Sequence, residues 1–353
     1  MDIQPIILCG GPGARLWPAS TPAHPKPFIE LAGEGSLFQQ TLARMAGLVG
    51  ALPPIVVAGA GHVEEVRGQL DGRPAVILAE PAGRDTAPAL LAAALWSLAH
   101  HPGAVAVAVA SDHFIPDHAA FGAAAMAALA AARTGEIVTF GVEPTAPSTA
   151  LGYIEPGEPL GPGDRVRRVT RFVEKPDADR ARAFVDAGYL WNSGNFVFRP
   201  DSLVEEAGRH VPGLLAAVRA AMPEAANAAG VVALGPEFLG ATRVSIDVAI
   251  MENTARAAVL PIAYAWSDLG AWKAVWEASP HDGAGNAIRG EAVVASSQDC
   301  LIRAGSGGRV IAVGLRRIAV VVQEGDVLVC DLDDAAGLKA AVESLARSAR
   351  TGT

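Results

Sequence analysis

What most restricts the fold of this chain is a recurrence: short continuous apolar runs alternate with alanine-rich helical stretches through about the first 275 residues. The runs lie at 5–9, 54–58, 75–79, 104–110 and 136–142, and the clearest helical stretches at 88–100 and 119–133. A strand that is apolar on both sides must be covered on both sides, as parallel strands under crossover helices are. Alternating β and α units of this length imply an α/β fold, a doubly wound, mostly parallel sheet of Rossmann-like type. Ligands of such sheets bind beyond the carboxyl ends of the strands, so chemistry is expected in those loops.

The second half is less regular. Residues 165–173 alternate, 196–198 read as a short strand and 201–222 as one helix. Composition shifts at the loop 279–286. Beyond it, strands are expected at 292–296, 300–303, 310–313, 318–322 and 327–330, followed by a terminal helix over 334–349. The expected organisation is a catalytic domain over 1–280 and a small β-rich C-terminal domain over 287–353.

A net charge of −9 gives the chain no broad surface for nucleic acid or an anionic membrane, so phosphates must be met in a local pocket. Cys9, Cys300 and Cys330 are too few and too scattered for a disulfide framework or a zinc site. The longest apolar run, 119–132, is about 14 residues, short of the roughly 20 that span a bilayer. The amino terminus opens directly into a strand pattern without a basic leader. A cytoplasmic protein is expected.

The first strand runs into Cys-Gly-Gly-Pro-Gly-Ala-Arg-Leu-Trp-Pro-Ala-Ser, residues 9–20. Gly10, Gly11 and Gly13 let backbone N–H groups approach a polyphosphate, and Arg15 can fork onto its oxygens. Lys26, between Pro25 and Pro27, is a second cation on a stiff turn. A Walker loop would need Gly-Lys-Ser/Thr, which is absent. A dinucleotide loop would need a third glycine where Leu16 stands, and an acidic residue after the second strand, which ends Ala-Gly-Ala-Gly. An NAD-dependent dehydrogenase is disfavoured on these grounds. A plain strand-to-helix turn would also carry glycines, but it would not need the arginine and the lysine.

Further motifs follow: Glu80-Pro81-x-Gly83-Arg84-Asp85-Thr86-Ala87-Pro88, Ser111-Asp112-His113, Phe172-x-Glu174-Lys175-Pro176, Trp191-Asn192-Ser193-Gly194, Ser245-Ile246-Asp247 and Trp266-Ser267-Asp268-Leu269-Gly270. Together with Gly10-Gly11-x-Gly13-x-Arg15-Leu16-Trp17-Pro18 and Pro25-Lys26-Pro27-Phe28 they resemble, in order over about 300 residues, the sugar-1-phosphate nucleotidyltransferases. The Leu-Trp-Pro extension is similar to the mannose-1-phosphate guanylyltransferase branch.

That resemblance implies GTP and mannose 1-phosphate as substrates, with Mg²⁺ as cofactor. It assigns the nucleotide to Gly10, Gly11, Gly13, Glu80, Arg84, Asp85 and Thr86, and catalysis to Arg15, Lys26 and Lys175. It assigns the sugar to Gly152, Tyr153, Glu174, Asn192 and Asp247, and the metal to Asp112 and Asp268. Each also has a structural alternative. An aspartate after a strand can cap a helix, and Asp85, where the family commonly has Asn, could do so or accept from the guanine edge. Thr86 can cap a helix whose first turn contains Pro88, and that helix start offers free N–H groups. Asp247 could contact the sugar or hold a lysine. Arg165, Arg167, Arg168 and Arg171 are expected on a solvated face; Trp191 could stack on a sugar ring or pack in the core, and His113 is expected in loop packing rather than on the metal.

The reaction implied is transfer of GMP, releasing pyrophosphate. Glucose, fucose or heptose phosphate are alternative acceptors. A non-catalytic nucleotide-sugar-binding subunit could have lost Lys26, Asp112 or Asp268, and all three are present. Some relatives carry a further isomerase domain; the length of this chain leads to the expectation of a single activity. The β-rich tail could close over the site or pair subunits, so a homodimer is left open.

Overall fold

The computed structural model describes residues 2–11 and 13–351. Its contacts divide the chain into two compact units. One comprises Met1–Gly10, Thr41–Ser111 and Ile115–Trp266. In chain order it holds β1 (Ile3–Cys9), α1 (Leu37–Ala46, entering at Thr41), β2 (Ile55–Gly59), α2 (Val63–Leu70), β3 (Val76–Glu80), α3 (Thr86–His100) and β4 (Val105–Ala110). Then come α4 (His118–Arg133), β5 (Ile137–Val142), β6 (Tyr153–Pro159), β7 (Arg167–Val173), α5 (Ala178–Asp186), β8 (Leu190–Phe198), α6 (Pro200–His210), α7 (Pro212–Ala220), β9 (Val231–Ala233) and β10 (Ala257–Ile262).

The strands form one 10-stranded sheet in the order β5-β10-β7-β6-β8-β4-β1-β2-β3-β9. The run β9-β3-β2-β1-β4 is parallel throughout, and so is β10 with β5. β6, β7 and β8 are joined antiparallel. The expected α/β class is therefore found, with antiparallel strands in the flank where the sequence pattern was least regular.

β4 alternates valine and alanine, yet both sets are buried, because both of its faces are covered. α3 is buried on nearly every side and packs on β1, β2 and β3 as well as on α6 and α7. α4 instead buries one stripe, Phe121, Ala124, Ala125, Ala128, Leu129 and Ala132, at helical spacing. The helix expected over 201–222 is two helices. Pro212 has no N–H to continue the ladder, so α6 ends at His210 and α7 begins at Pro212. Among the described residues no helix is long and apolar enough to cross a membrane.

The other unit comprises Gly11–Gln40, Asp112–Phe114 and Ser267–Thr353. It holds α8 (Trp272–Glu277), β11 (Ala287–Arg289), β12 (Ala292–Ala295), β13 (Leu301–Ala304), β14 (Val310–Val313), β15 (Ile318–Gln323), β16 (Asp326–Asp331) and α9 (Ala335–Thr351). β11, β13 and β15 pair in parallel, with β16 antiparallel at the edge, while β12 and β14 pair in parallel as a second sheet. From β11 to β15 successive strands thus alternate between two sheets, and the chain winds as a short coil around Cys300, Ile302, Val310, Ala312 and Val320.

A second core joins this coil to the glycine-rich segment. Leu16, Ile29, Leu31 and Leu37 bury against Leu269, Trp272, Leu301, Val321 and Leu328. The Trp272 indole N–H donates to the Trp17 carbonyl at 3.0 Å. The units are therefore not two consecutive stretches meeting near residue 280, as the composition shift suggested. The apolar residues of the Gly11–Gln40 segment find their partners in the C-terminal strands.

Candidate active site

The expected site residues fall into two sets, one in each unit. The set containing Lys26 is organised by one isolated strand bridge. The Phe114 N–H donates to the Ser267 carbonyl at 2.9 Å, and the Ser267 N–H to the Phe114 carbonyl at 3.0 Å. This pairing places Asp112 and Asp268 side by side, although 156 positions separate them in the sequence (268 − 112).

Lys26 opens a single helical turn, Lys26–Phe28, between Pro25 and Pro27, and is 5 % exposed. Its ammonium donates to Asp112 Oδ2 at 2.8 Å and to the Asp268 carbonyl. Burial by itself would raise the Asp112 pKa, but the Lys26 ammonium outweighs it and holds the carboxyl below its usual range. His113 Nε2 lies 4.0 Å from the other Asp112 oxygen.

Gly13 has φ +59, and a β-carbon there would meet Ser20 Oγ at 2.7 Å and Lys26 Cβ at 2.8 Å. Glycine is thus what allows the loop to pass over the lysine stem. Gly10 and Gly11 have nothing within 4 Å of the β-carbon position, so their backbone is approachable. A β-carbon at Gly270 would lie 2.6 Å from the Asp268 carboxylate and 3.2 Å from the Arg15 guanidinium, which locates Arg15 beside Asp268.

Among the described residues no group of three or more His, Cys, Asp or Glu could hold a metal ion. Two carboxylates such as Asp112 and Asp268 would leave most of a hard cation's shell to phosphate and water oxygens, the usual mode for Mg²⁺.

The second set lies at the carboxyl ends of β3 and β7 and at the amino ends of β6 and β8. Glu80 ends β3, is 9 % exposed, and its Oε1 has no hydrogen-bond partner. Burial pushes its pKa up to about 7. Asp85 sits at φ +71, unusual for a residue with a side chain, and its carboxylate accepts from the Thr86 N–H at 2.8 Å. Asp85, not Thr86, is therefore the cap of α3. The Thr86 hydroxyl accepts from the Ile246 N–H at 2.9 Å, and the Arg84 guanidinium donates to the Leu239 carbonyl.

Lys175, at φ +44, pairs with Glu174 at 2.5 Å. Burial would lower its pKa; Glu174, then Asp247 and Asp85, outweigh that and raise it. The three carboxylates and the lysine thus share one neighbourhood. Burial, reinforced by Glu174, pushes Asp247 up to about 7. Asn192 donates its amide to Asp247 at 2.8 Å and accepts from the Thr139 hydroxyl at 2.7 Å. A β-carbon at Gly152 would meet Glu174 Oε2 at 2.6 Å, so a side chain there would displace that carboxylate.

Tyr153 is the exception. It was expected to line the sugar, but it is fully buried with Val173, Ala181 and Phe184, and its hydroxyl accepts from the Ser148 N–H at 2.8 Å. Its side chain belongs to the core, because β6 turns the aromatic face inward.

Sequence reasoning missed Thr139, which orients Asn192, and Glu252, whose carboxylate accepts from the Glu174 N–H at 3.0 Å. Thr139 left a trace, a hydroxyl amid the apolar run 136–142. Glu252 left none.

Residues 4–285 match the Nucleotidyl transferase family. A mannose-1-phosphate guanylyltransferase of Escherichia coli is 38 % identical over 355 residues, covering 99 % of this chain and 75 % of the relative. The xanthan biosynthesis protein XanB of Xanthomonas campestris pv. campestris is 41 % identical over 356 residues, covering 99 % and 74 %. A solved structure from Thermus thermophilus, described as a mannose-1-phosphate geranyltransferase, has a TM-score of 0.84 at 30 % identity, covering 98 % of this chain and 99 % of that one. With these matches over the residues just described, the chain belongs to the nucleotidyl transferase family and is an enzyme of its sugar-1-phosphate nucleotidyltransferases.

Proposed function

We propose that this enzyme transfers GMP from GTP to mannose 1-phosphate, giving GDP-mannose and pyrophosphate. The observation that carries the chemistry is the buried Lys26 ammonium on Asp112 beside Asp268. The names of the relatives support the choice of base and sugar.

An oxygen of the sugar phosphate attacks the α-phosphorus of GTP. The bond from that phosphorus to the bridging oxygen breaks, and pyrophosphate leaves with the electron pair. The nucleophile is already an anion at neutral pH, so no general base is required. The work of the protein is to bring two anions together and to meet the charge that develops. The backbone of Gly10, Gly11 and Gly13, with Arg15 and Lys26, holds the triphosphate. Lys175 takes the sugar phosphate, while Glu174, Asn192 and Asp247 take hydroxyls. Glu80, with an oxygen free of partners, accepts from the guanine N–H edge, and Asp85 closes that loop as the helix cap. A Mg²⁺ on Asp112 and Asp268 would supply charge neutralisation at the phosphates.

The test is pyrophosphate release with Mg²⁺, mannose 1-phosphate and each of GTP, ATP, UTP and dTTP in parallel. Release with GTP alone is expected. Release with another nucleotide keeps the chemistry and reassigns the base. No release with any nucleotide, on mannose, glucose, fucose and heptose phosphates alike, overturns catalysis in favour of a binding subunit.

A further inference from the structure

The reaction asks Lys26 to hold a phosphate and Asp112 to hold a divalent cation, yet here the two side chains hold each other. The ammonium lies 2.8 Å from Asp112 Oδ2 and also donates to the Asp268 carbonyl. We propose that Lys26 is a placeholder: in the nucleotide-free enzyme its ammonium occupies the face of Asp112 that a divalent cation needs, so metal is accepted only once a triphosphate has drawn the lysine away. The inference rests on the nucleotidyl-transfer reading of this site and extends it to the order in which substrates and metal are taken up.

Three features support it. Lys26 is 5 % exposed and its backbone is held between Pro25 and Pro27, which keeps the ammonium among the groups of the site. A buried ammonium must keep an anionic or polar partner, and Asp112 with the Asp268 carbonyl are the partners present. A carboxylate oxygen at hydrogen-bond distance from an ammonium cannot also stand about 2.1 Å from Mg²⁺ without forcing two cations together. An arriving triphosphate changes the balance. It offers the lysine several anionic oxygens at once and leaves Asp112 without its counter-charge, the state in which a cation is bound most strongly. The metal then enters with the nucleotide, and the free enzyme holds none.

The probe is Mn²⁺, followed by the electron paramagnetic resonance signal of the free ion, without nucleotide. Lys26→Met and Lys26→Gln are expected to bind Mn²⁺ at least about tenfold more tightly than wild type, because a competing charge is removed from a part-buried carboxylate. Adding Asp112→Asn to Lys26→Met is expected to abolish that gain. Equal affinity of wild type and folded variants overturns the placeholder, as does no uptake by either folded variant. Wild-type protein alone also decides: Mn²⁺ uptake at micromolar metal without nucleotide overturns it whether or not the variants fold. Neither result alters the pyrophosphate assay, which independently tests the reading beneath.

Discussion

Glu80→Gln is expected to stabilise the ligand-free enzyme above neutral pH while impairing GTP binding. The Glu80 carboxyl ordinarily has a pKa of 4.5, and burial at the end of β3 raises it to about 7. Between these values the folded chain keeps a proton that the unfolded chain has lost. Stability contributed by this group is therefore complete below about pH 4.5, declines as pH rises, and is gone above about pH 7. At about 1.4 kcal/mol per tenfold step in proton affinity, the difference is roughly 3 kcal/mol, an upper figure because the buried carboxylate can recruit water. Glutamine keeps the shape and cannot ionise. Unfolding entropy near 2.1 cal/mol/K per residue converts roughly 3 kcal/mol into a Tm gain of about 4 °C for a chain of 353 residues. Thermal unfolding of both proteins from about pH 5 to about pH 8.5 measures it. The gain should be near zero at the acid end and grow through neutrality. A constant difference across that range would falsify the burial argument.

Two further outcomes follow from the geometry. Gly13→Ala puts a methyl group 2.7 Å from Ser20 Oγ at φ +59; a loss of about 2–3 kcal/mol in denaturant titration and a raised KM for the nucleotide are expected. Burial and Glu174 hold Asp247 at about 7, so kcat/KM for the sugar phosphate should fall as pH drops through that value, when the protonated carboxyl stops accepting from Asn192 and the sugar. Asp247→Asn should lack that inflection, and an unchanged inflection in the variant would assign it to another group.

β1 to β5 were legible because each carries its own signal, a short, mostly apolar run that needs two covered faces. β6 and β10 were not, since Pro156, Gly157 and Pro261 interrupt the pattern and only pairing partners decide it. β11 is three residues long and is defined by Leu301 and Ile302 beside it, not by its own composition. Lys26, Asp112 and Asp268 were singled out from motif order, and the structure sets the Lys26 ammonium on Asp112 and on the Asp268 carbonyl. What a motif could not reveal is orientation. Tyr153 stands next to Gly152, but period-2 alternation sends it to the opposite face. The cap formed by Asp85 was readable as an option from its place before a helix; that the same carboxylate also raises the pKa of Lys175 depends on a fold contact no local pattern encodes.

The core shared by Leu16, Leu31 and Leu37 with Trp272, Leu301 and Val321 bears on modularity. The segment that carries Gly13, Arg15 and Lys26 owes its solid support to residues that follow it far along the chain. During synthesis it must wait, unsupported, until the coil emerges. The coil is accordingly not an accessory that can be trimmed or exchanged between relatives like a bead on a string. A chain cut at the composition shift near residue 280 would retain the segment with Gly13, Arg15 and Lys26 and lose the apolar platform that gives it shape.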